Sequence, residues 1–408
     1  AGLATKVVGA LRLASEQLSS QKHYDFGMRA LKAILVANAS LKRQQPNFDE
    51  ARLCLQGLRD VNLPKFTAED SLLFEAIVSD LFPSVQAPEK NFASLLSSVS
   101  EACKELKIIE TPEFVAKTLQ LWETVLVRHG LMLIGAAGAG KSAVLNALRV
   151  ALGKQGNDVD CVVMNPKAVT GLQLYGNLDE NTQAWTDGVL PSVMKTQIEE
   201  MKPGDRRWMM FDGPVDAGWI ENINTLLDDN KILCLTNGQK IKMLEGMTIM
   251  FEVEDLIAAS PATVSRCGMV FVSKTSVGWP AQLRRFLSFD LRPALAEVSS
   301  VLDSTLTRLL RGALQLISAQ KRLPLRLNAA LLAQNCLRLL AILLEDLETA
   351  DERWASEAAW FSVLWGIGGL FPDPTRRDFA VWALAARNGC GLPPITDEPF
   401  GLRLDLKD

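Results

Sequence analysis

One run of residues has the types and spacing to do chemistry on a phosphate: Gly135-Ala136-Ala137-Gly138-Ala139-Gly140-Lys141-Ser142. It fits G-x-x-x-x-G-K-[ST]. In that pattern the glycines let backbone N–H groups close around phosphate oxygens, the lysine reaches the outer phosphates, and the serine hydroxyl meets a magnesium ion. The flanks agree with it. Leu131-Met132-Leu133-Ile134 is an unbroken apolar run suited to a buried strand, and Ala143 to Leu152 sets Val144, Leu145, Leu148 and Leu152 on one helical face. The start of that helix adds partial positive charge for an anion. The expected ligand is a nucleoside triphosphate; whether the chain splits it is a separate question.

A magnesium-dependent phosphate loop needs a second acidic group. Trp208-Met209-Met210-Phe211-Asp212 supplies one, an apolar strand ending in a carboxylate. In hydrolytic phosphate-loop enzymes a glutamate usually follows and polarises the attacking water. Here Gly213 and Pro214 follow, and neither does acid–base work. A rival placement is Ile249-Met250-Phe251-Glu252-Val253-Glu254-Asp255, where Glu252 or Glu254 would serve a self-contained hydrolytic NTPase. Ser265-Arg266-Cys267-Gly268 precedes a further strand. Arg266 either points out of the module towards a neighbour's γ-phosphate, as an arginine finger does, or makes a surface ion pair.

The elements that would position these groups follow from periodicity. From about 91 to 275 apolar strands alternate with helices, at Leu131–Ile134, Cys161–Met164, Trp208–Phe211, Thr248–Val253 and Met269–Val272, which predicts an α/β fold with a parallel sheet. Asn237-Gly238 between 231–236 and 239–243 predicts a hairpin with a tight type I′ turn. A second hairpin is expected in Leu172–Trp185, around Asn177–Thr182. Residues 1–85 have helical spacing in Leu3–Leu18 and Tyr24–Leu41, and a helix start at Thr67-Ala68-Glu69-Asp70. Pro83–Lys90 looks like a connector. Residues from about 280 onward are helical again, over Leu291–Ser318, Leu327–Leu347 and Ala355–Leu370. The expected domains are therefore 1–85, 86–285 and 286–408: helical, α/β, helical.

Composition bounds the alternatives. With 408 residues, 48% hydrophobic and 22% charged, the chain is expected to be globular and to hold two or three domains. A net charge of −4 leaves no footprint for nucleic acid, and no apolar run reaches transmembrane length. Seven scattered cysteines with no C-x-x-C pair suit a reducing compartment, and two histidines argue against zinc. A start at Ala1, without methionine, inside a helical pattern is expected of a segment from a longer polypeptide.

Taken in order, these residues resemble the dynein heavy chain. Ser19-Ser20-Gln21-Lys22-His23-Tyr24-Asp25-Phe26-Gly27-Met28-Arg29-Ala30 and Arg59–Phe66 look like the small helical subdomain of that family's first AAA+ module. The loop at 135–142, Asn165-Pro166-Lys167, Leu174-Tyr175-Gly176 and Trp185–Gly188 look like the large subdomain of the second module. The most specific stretches are Phe211–Asn222 with Leu227–Lys231, and Ala259–Val270. From about 291 to 385 the likeness is weak until Trp365–Gly369. Gly-Pro-Val-Asp at 213–216 is closer to axonemal than to cytoplasmic forms.

The resemblance implies an AAA+ P-loop parallel sheet with flanking helices and helical small subdomains on either side. It also implies a second module that binds ATP (or ADP) with Mg2+ but does not turn it over, and Gly213 agrees. Gly135 to Gly140, Lys141 and Ser142 would hold the nucleotide, and Ser142 and Asp212 the metal. Glu254 stands near where a sensor asparagine is expected. Arg29 matches the sensor arginine of the first module and Arg266 the finger lent to that module's site, whose own phosphate loop lies outside this sequence. The insert near 172–185 either touches the family's linker or is a plain surface hairpin. The implied partners are other AAA+ modules and the linker of the same heavy chain, intermediate and light chains, and microtubules travelled towards their minus ends. The implied place is the cytoplasm and cytoskeleton, and the axoneme of cilia and flagella. A degenerate scaffold that binds no nucleotide is the remaining alternative.

Overall fold

The apolar runs of the central region form strands of a parallel sheet in the computed structural model, which describes residues 2–83, 85, 92–179, 181–182, 184–274, 276–319, 328–345, 351–395 and 399–401. Five strands, β1 (Gly130–Ile134), β2 (Val159–Met164), β5 (Arg206–Asp212), β8 (Met247–Val253) and β9 (Gly268–Phe271), pair in the order β2-β5-β8-β1-β9. All four pairings are parallel. Every residue of β1 is buried, as it must be in a sheet covered on both faces. The chain leaves β1 for the far edge, returns to it through β5 and β8, then crosses to β9 on its other side. Such a reversal opens a crevice at the carboxyl ends of the strands, and ligands bind there in open α/β sheets. The loop at 135–140 begins at that end of β1 and runs into the helix Lys141–Lys154.

Two short hairpins sit beside the sheet: β3 (Gly176–Leu178) with β4 (Trp185–Asp187), and β6 (Ile232–Cys234) with β7 (Lys240–Lys242). Both correct a detail of the sequence reading. The segment opening at Leu172 is first a helix, Gly171–Tyr175, closed by a capping box in which Thr170 accepts from Gln173 N and the Gln173 side chain accepts from Thr170 N. The hairpin starts only at Gly176. The Asn-Gly turn is not type I′, which needs positive φ at both central residues. Only Gly238 is left-handed, at φ +84°. Leu235 N donates to Gln239 O at 2.9 Å, so the loop is the three residues Thr236-Asn237-Gly238. The Asn237 side chain accepts from Gln239 N at 2.9 Å, so it serves as a local acceptor instead of bending its own backbone.

The chain divides into two compact units. The first comprises residues 1–102, 112–136 and 141–273, and so joins the N-terminal helices to the sheet. Its helices Gly2–Gln17, Met28–Gln44, Glu50–Asn62 and Ala68–Leu81 share a core of Val7, Leu11, Ile34, Leu58, Phe74 and Val78. Thr67 caps the last of them, accepting from Asp70 N, as its sequence predicts. One sheet face is filled by Met132, Met209, Phe211, Ile249 and Phe251, with the Phe211 ring stacked on Phe251 and on Trp219 at 5.3 Å from each.

The second unit comprises residues 103–111, 137–140 and 274–408. Helices Ser299–Ala319, Ala329–Leu343, Glu352–Val363 and Asp373–Gly389 bury Leu302, Leu306, Leu310, Cys336, Leu340 and Trp360. After Val363 the helix widens into a π turn, Leu364–Gly368. A Cβ on Gly366 would lie 2.8 Å from the Cys336 Cα, so this close helix contact requires glycine. The connector expected at Pro83–Lys90 falls mostly outside the described residues. No helix among the described residues is long and apolar enough to cross a membrane.

Candidate functional site

The loop after β1 has the backbone that its glycines predict. Gly138 and Gly140 are left-handed, at φ +73° and +99°, and the Ala139 between them is buried. Residues 137–140 group with the second unit, and within that unit their environment is tight. A Cβ on Gly138 would come 2.7 Å from Leu331 Cγ, and one on Gly140 would come 2.6 Å from Val277 Cγ2. Asn328 Nδ2 donates to Ala137 O at 2.6 Å while the same side chain caps the next helix by accepting from Leu331 N.

Lys141 opens the following helix and is only 8% exposed. Its Nζ donates to the carbonyls of Gly135 at 2.8 Å and Ala136 at 3.2 Å, which folds the amine under its own loop. Burial lowers its pKa, while the carboxylates of Glu252, Glu254 and Asp212 pull the other way. Ser142, exposed, donates its hydroxyl to Glu252 Oε1 at 2.7 Å. Burial raises the Glu252 pKa, opposed by the Ser142 hydrogen bond and by Lys141.

The carboxylates are ordered by sheet register. Asp212, the last residue of β5, pairs with Glu252 of β8, and Glu252 pairs with Leu133 of β1. Glu252 is therefore one strand from β1 and Asp212 two. Sequence reasoning named Asp212 for the metal and kept Glu252 as a rival base; it did not foresee that Glu252 would engage Ser142. The alternation of β8, with Glu252 on the opposite face from Phe251 and Val253, was the available signal. These groups of the first unit suit a magnesium nucleotide: a cation at the loop base, and a hydroxyl and carboxylates as oxygen donors for a hard divalent ion.

Gly213 follows Asp212 against a wall. A Cβ there would meet Asn165 Oδ1 at 2.9 Å and Pro166 Cδ at 3.4 Å, and that Asn165 oxygen already accepts from Lys167 N at 2.9 Å.

A second constellation lies in the first unit. Arg29 is the second residue of its helix. The preceding segment is locked: Gly27 N donates to Asp25 Oδ1 at 2.9 Å, Lys65 Nζ donates to Asp25 O at 2.7 Å, and the His23 ring stacks on Phe271 of β9 at 5.3 Å. Arg266 lies two residues before that same strand. Arg29 Nη1 donates to Ala262 O at 3.2 Å and also to the Ser265 hydroxyl; Arg266 Nη1 donates to Ala262 O at 2.7 Å. Arg266 Nε pairs with Asp228 Oδ1 at 2.6 Å, and Lys32 pairs with Asp229. Arg29, Lys32, Arg128, Asp228, Asp229 and Arg266 all line one cavity of about 130 Å³. Sequence reasoning singled out the two arginines and missed Lys32, Arg128 and the two aspartates, whose roles appear only on folding.

The comparisons with known proteins cover the residues of both constellations. The family described as the hydrolytic ATP binding site of the dynein motor region matches residues 1–142, and the AAA domain of the dynein-related subfamily matches residues 130–267. Human dynein axonemal heavy chain 1 is 39% identical over 403 residues, covering 93% of this chain and 9% of that protein. Mouse dynein axonemal heavy chain 3 is 38% identical over 402 residues, covering 93% of this chain and 10% of the relative. Human dynein axonemal heavy chain 6 is 44% identical over 294 residues, covering 70% and 7%. The chain thus spans about a tenth of the length of the relatives it matches. Its parallel sheet, phosphate loop and sequence together make it a member of the dynein heavy-chain family, built on the nucleotide-binding AAA fold.

Proposed function

We propose that residues 86–285 form the large subdomain of the second AAA+ module of an axonemal-type dynein ring, that 286–408 form its small subdomain, and that 1–85 form the small subdomain of the first module. This module binds ATP or ADP with Mg2+ and holds it, bracing the ring while the first module cycles. Gly135 to Gly140 and Lys141 enclose the phosphates. Ser142 and Asp212 face the metal, which supplies charge neutralisation at the phosphates.

The observation that carries the reading is the space at residue 213. The position after the magnesium aspartate has no side chain, and the room for one is occupied by Asn165 and Pro166. No base stands there to activate water. A second observation agrees. The helix Met28–Gln44 has Arg29 at its second position, whereas the helix Ala329–Leu343 has Ala330 there, buried and without charge. By this reading Arg29 serves the first module's site, and among the described residues the corresponding position of the second helical unit carries no charge.

Arg29 and Arg266 converge on the Ala262 carbonyl and face the neighbouring module's nucleotide, where they act as sensor and finger. The parent then moves along microtubules towards the minus end in the cytoplasm and in the axoneme of cilia and flagella, with the other AAA+ modules, the linker, and intermediate and light chains as partners. A hydrolytic reading through Glu252 is less well supported, because that carboxylate is engaged with Ser142.

The test is nucleotide occupancy and turnover on the full chain. Retained nucleotide, lost on Lys141→Ala, with phosphate release well below about 1 s⁻¹, is the expected result. Sustained multiple turnover abolished by the same substitution overturns it.

A further inference from the structure

The hydrogen bond from Ser142 to Glu252 has a meaning for the metal site beyond the absence of a base. In phosphate-loop sites the serine hydroxyl oxygen is the protein's own ligand to the divalent ion. An oxygen ligand is oriented by whatever accepts its proton, and such outer partners set metal affinity as strongly as some ligands do. In this chain the acceptor is Glu252 Oε1, at 2.7 Å. The sheet explains why. Strands lie about 4.8 Å apart, β8 stands between β5 and β1, and Glu252 is in register with both Asp212 and Leu133. A carboxylate on β8 is one strand closer to the loop than Asp212, and the length of a glutamate covers the remaining gap.

We propose that Glu252 is the positioning residue of the divalent-cation site: it fixes the Ser142 hydroxyl with a lone pair towards the ion and adds a second negative charge beside Asp212. The proposal rests on the reading that this loop binds a magnesium nucleotide, and it assigns Glu252 to metal retention instead of water activation. It also gives a physical basis for the nucleotide retention proposed above. Two carboxylates on adjacent strands, one of them engaged with the ligand serine, hold the ion more firmly than one, and the ion in turn holds the outer phosphates.

The experiment is a titration of the full chain with ATP, once with Mg2+ and once with EDTA, for the wild type, Glu252→Ala, Glu252→Gln and Asp212→Asn. The readout is the ratio of the two affinities. Glu252→Ala is expected to lower that ratio by about 10- to 100-fold, the usual effect of removing an outer-shell partner, while leaving the EDTA affinity nearly unchanged. Glu252→Gln is expected to fall between Ala and wild type, because its amide oxygen still accepts the Ser142 proton although the charge is gone. Mn2+ bound in place of Mg2+ should show the same ranking by its electron paramagnetic resonance signal. A wild-type ratio retained in both Glu252 variants overturns the proposal, as does an equal loss of affinity with and without metal. If wild-type affinity itself is independent of Mg2+, the underlying reading of the site fails as well. Multiple turnover lost only in the Glu252 variants, at unchanged ratio, would make Glu252 a base instead.

Discussion

Arg29 and Arg266 donate to one carbonyl, that of Ala262, at 3.2 and 2.7 Å. The two guanidinium groups therefore stand side by side although they come from opposite ends of the first unit. Arg266 is held there by Asp228, and Arg29 by the Ser265 hydroxyl. A pair so arranged sets two adjacent guanidinium groups in a cavity that also carries Lys32, Arg128 and the two aspartates, Asp228 and Asp229, that pair with Arg266 and Lys32.

In the parent motor, Arg266→Ala is expected to slow hydrolysis at the neighbouring module by about 10³-fold or more, the range of a lost arginine finger. Arg29→Ala should also slow it, and the double variant should lose less than the product of the two, because neighbours that share a partner do not act independently. Asp228→Ala should lower kcat more than it raises KM, since it releases Arg266 from its tether without removing the charge. Steady-state ATPase assays check all three.

The left-handed glycines give a second expectation. Gly140→Ala forces a Cβ to within 2.6 Å of Val277 Cγ2 at φ +99°. Strain of about 1–3 kcal/mol at such a position should abolish nucleotide retention while the helix Lys141–Lys154 persists. Equilibrium binding alongside circular dichroism separates the two effects.

Restoring the missing carboxylate should not restore turnover. Gly213→Glu places its Cβ 2.9 Å from Asn165 Oδ1, so the new side chain must displace Asn165 from Lys167 N before it can turn towards the phosphates. Phosphate release is expected to stay below about 1 s⁻¹. Pairing it with Asn165→Ala is the variant most able to gain activity.

Lys65 predicts a pH dependence of stability. Burial lowers its pKa from 10.5 to about 7, with Asp25 opposing and Arg128 assisting. The unfolded chain takes up this proton below pH 10.5 and the folded chain only below about pH 7. The burden of burying the ammonium thus grows as pH falls from about 10 to 7 and stays constant below that. Stability of the wild type, relative to Lys65→Met, should rise between pH 7 and 10 and be flat under pH 7. Urea unfolding of both proteins across that range checks the sign.

Much of the architecture was legible without coordinates because it is local. A strand, a glycine loop and a helix adjoin in the chain, so Leu131–Leu152 declared its shape. The apolar runs of the five parallel strands and the Thr67 cap were likewise written in neighbouring residues. Local signals misled where several backbones satisfy the same residues. Asn237-Gly238 marks a turn, but whether Asn237 becomes left-handed depends on how the strands meet, and here its side chain found an acceptor role instead. Thr170 and Gln173 formed a capping box that turned the first part of an expected hairpin into helix.

Residue types and order alone thus determined that the chain carries a phosphate loop, a parallel sheet to hold it and no glutamate after Asp212, since each is a property of contiguous residues. Tertiary structure decided what those residues face. Ser142 meets Glu252 across 110 positions of sequence, and Arg29 meets Ser265 across 236. Strand order and register set such pairings, and these follow from how the sheet buries its two faces, which no short window of sequence contains.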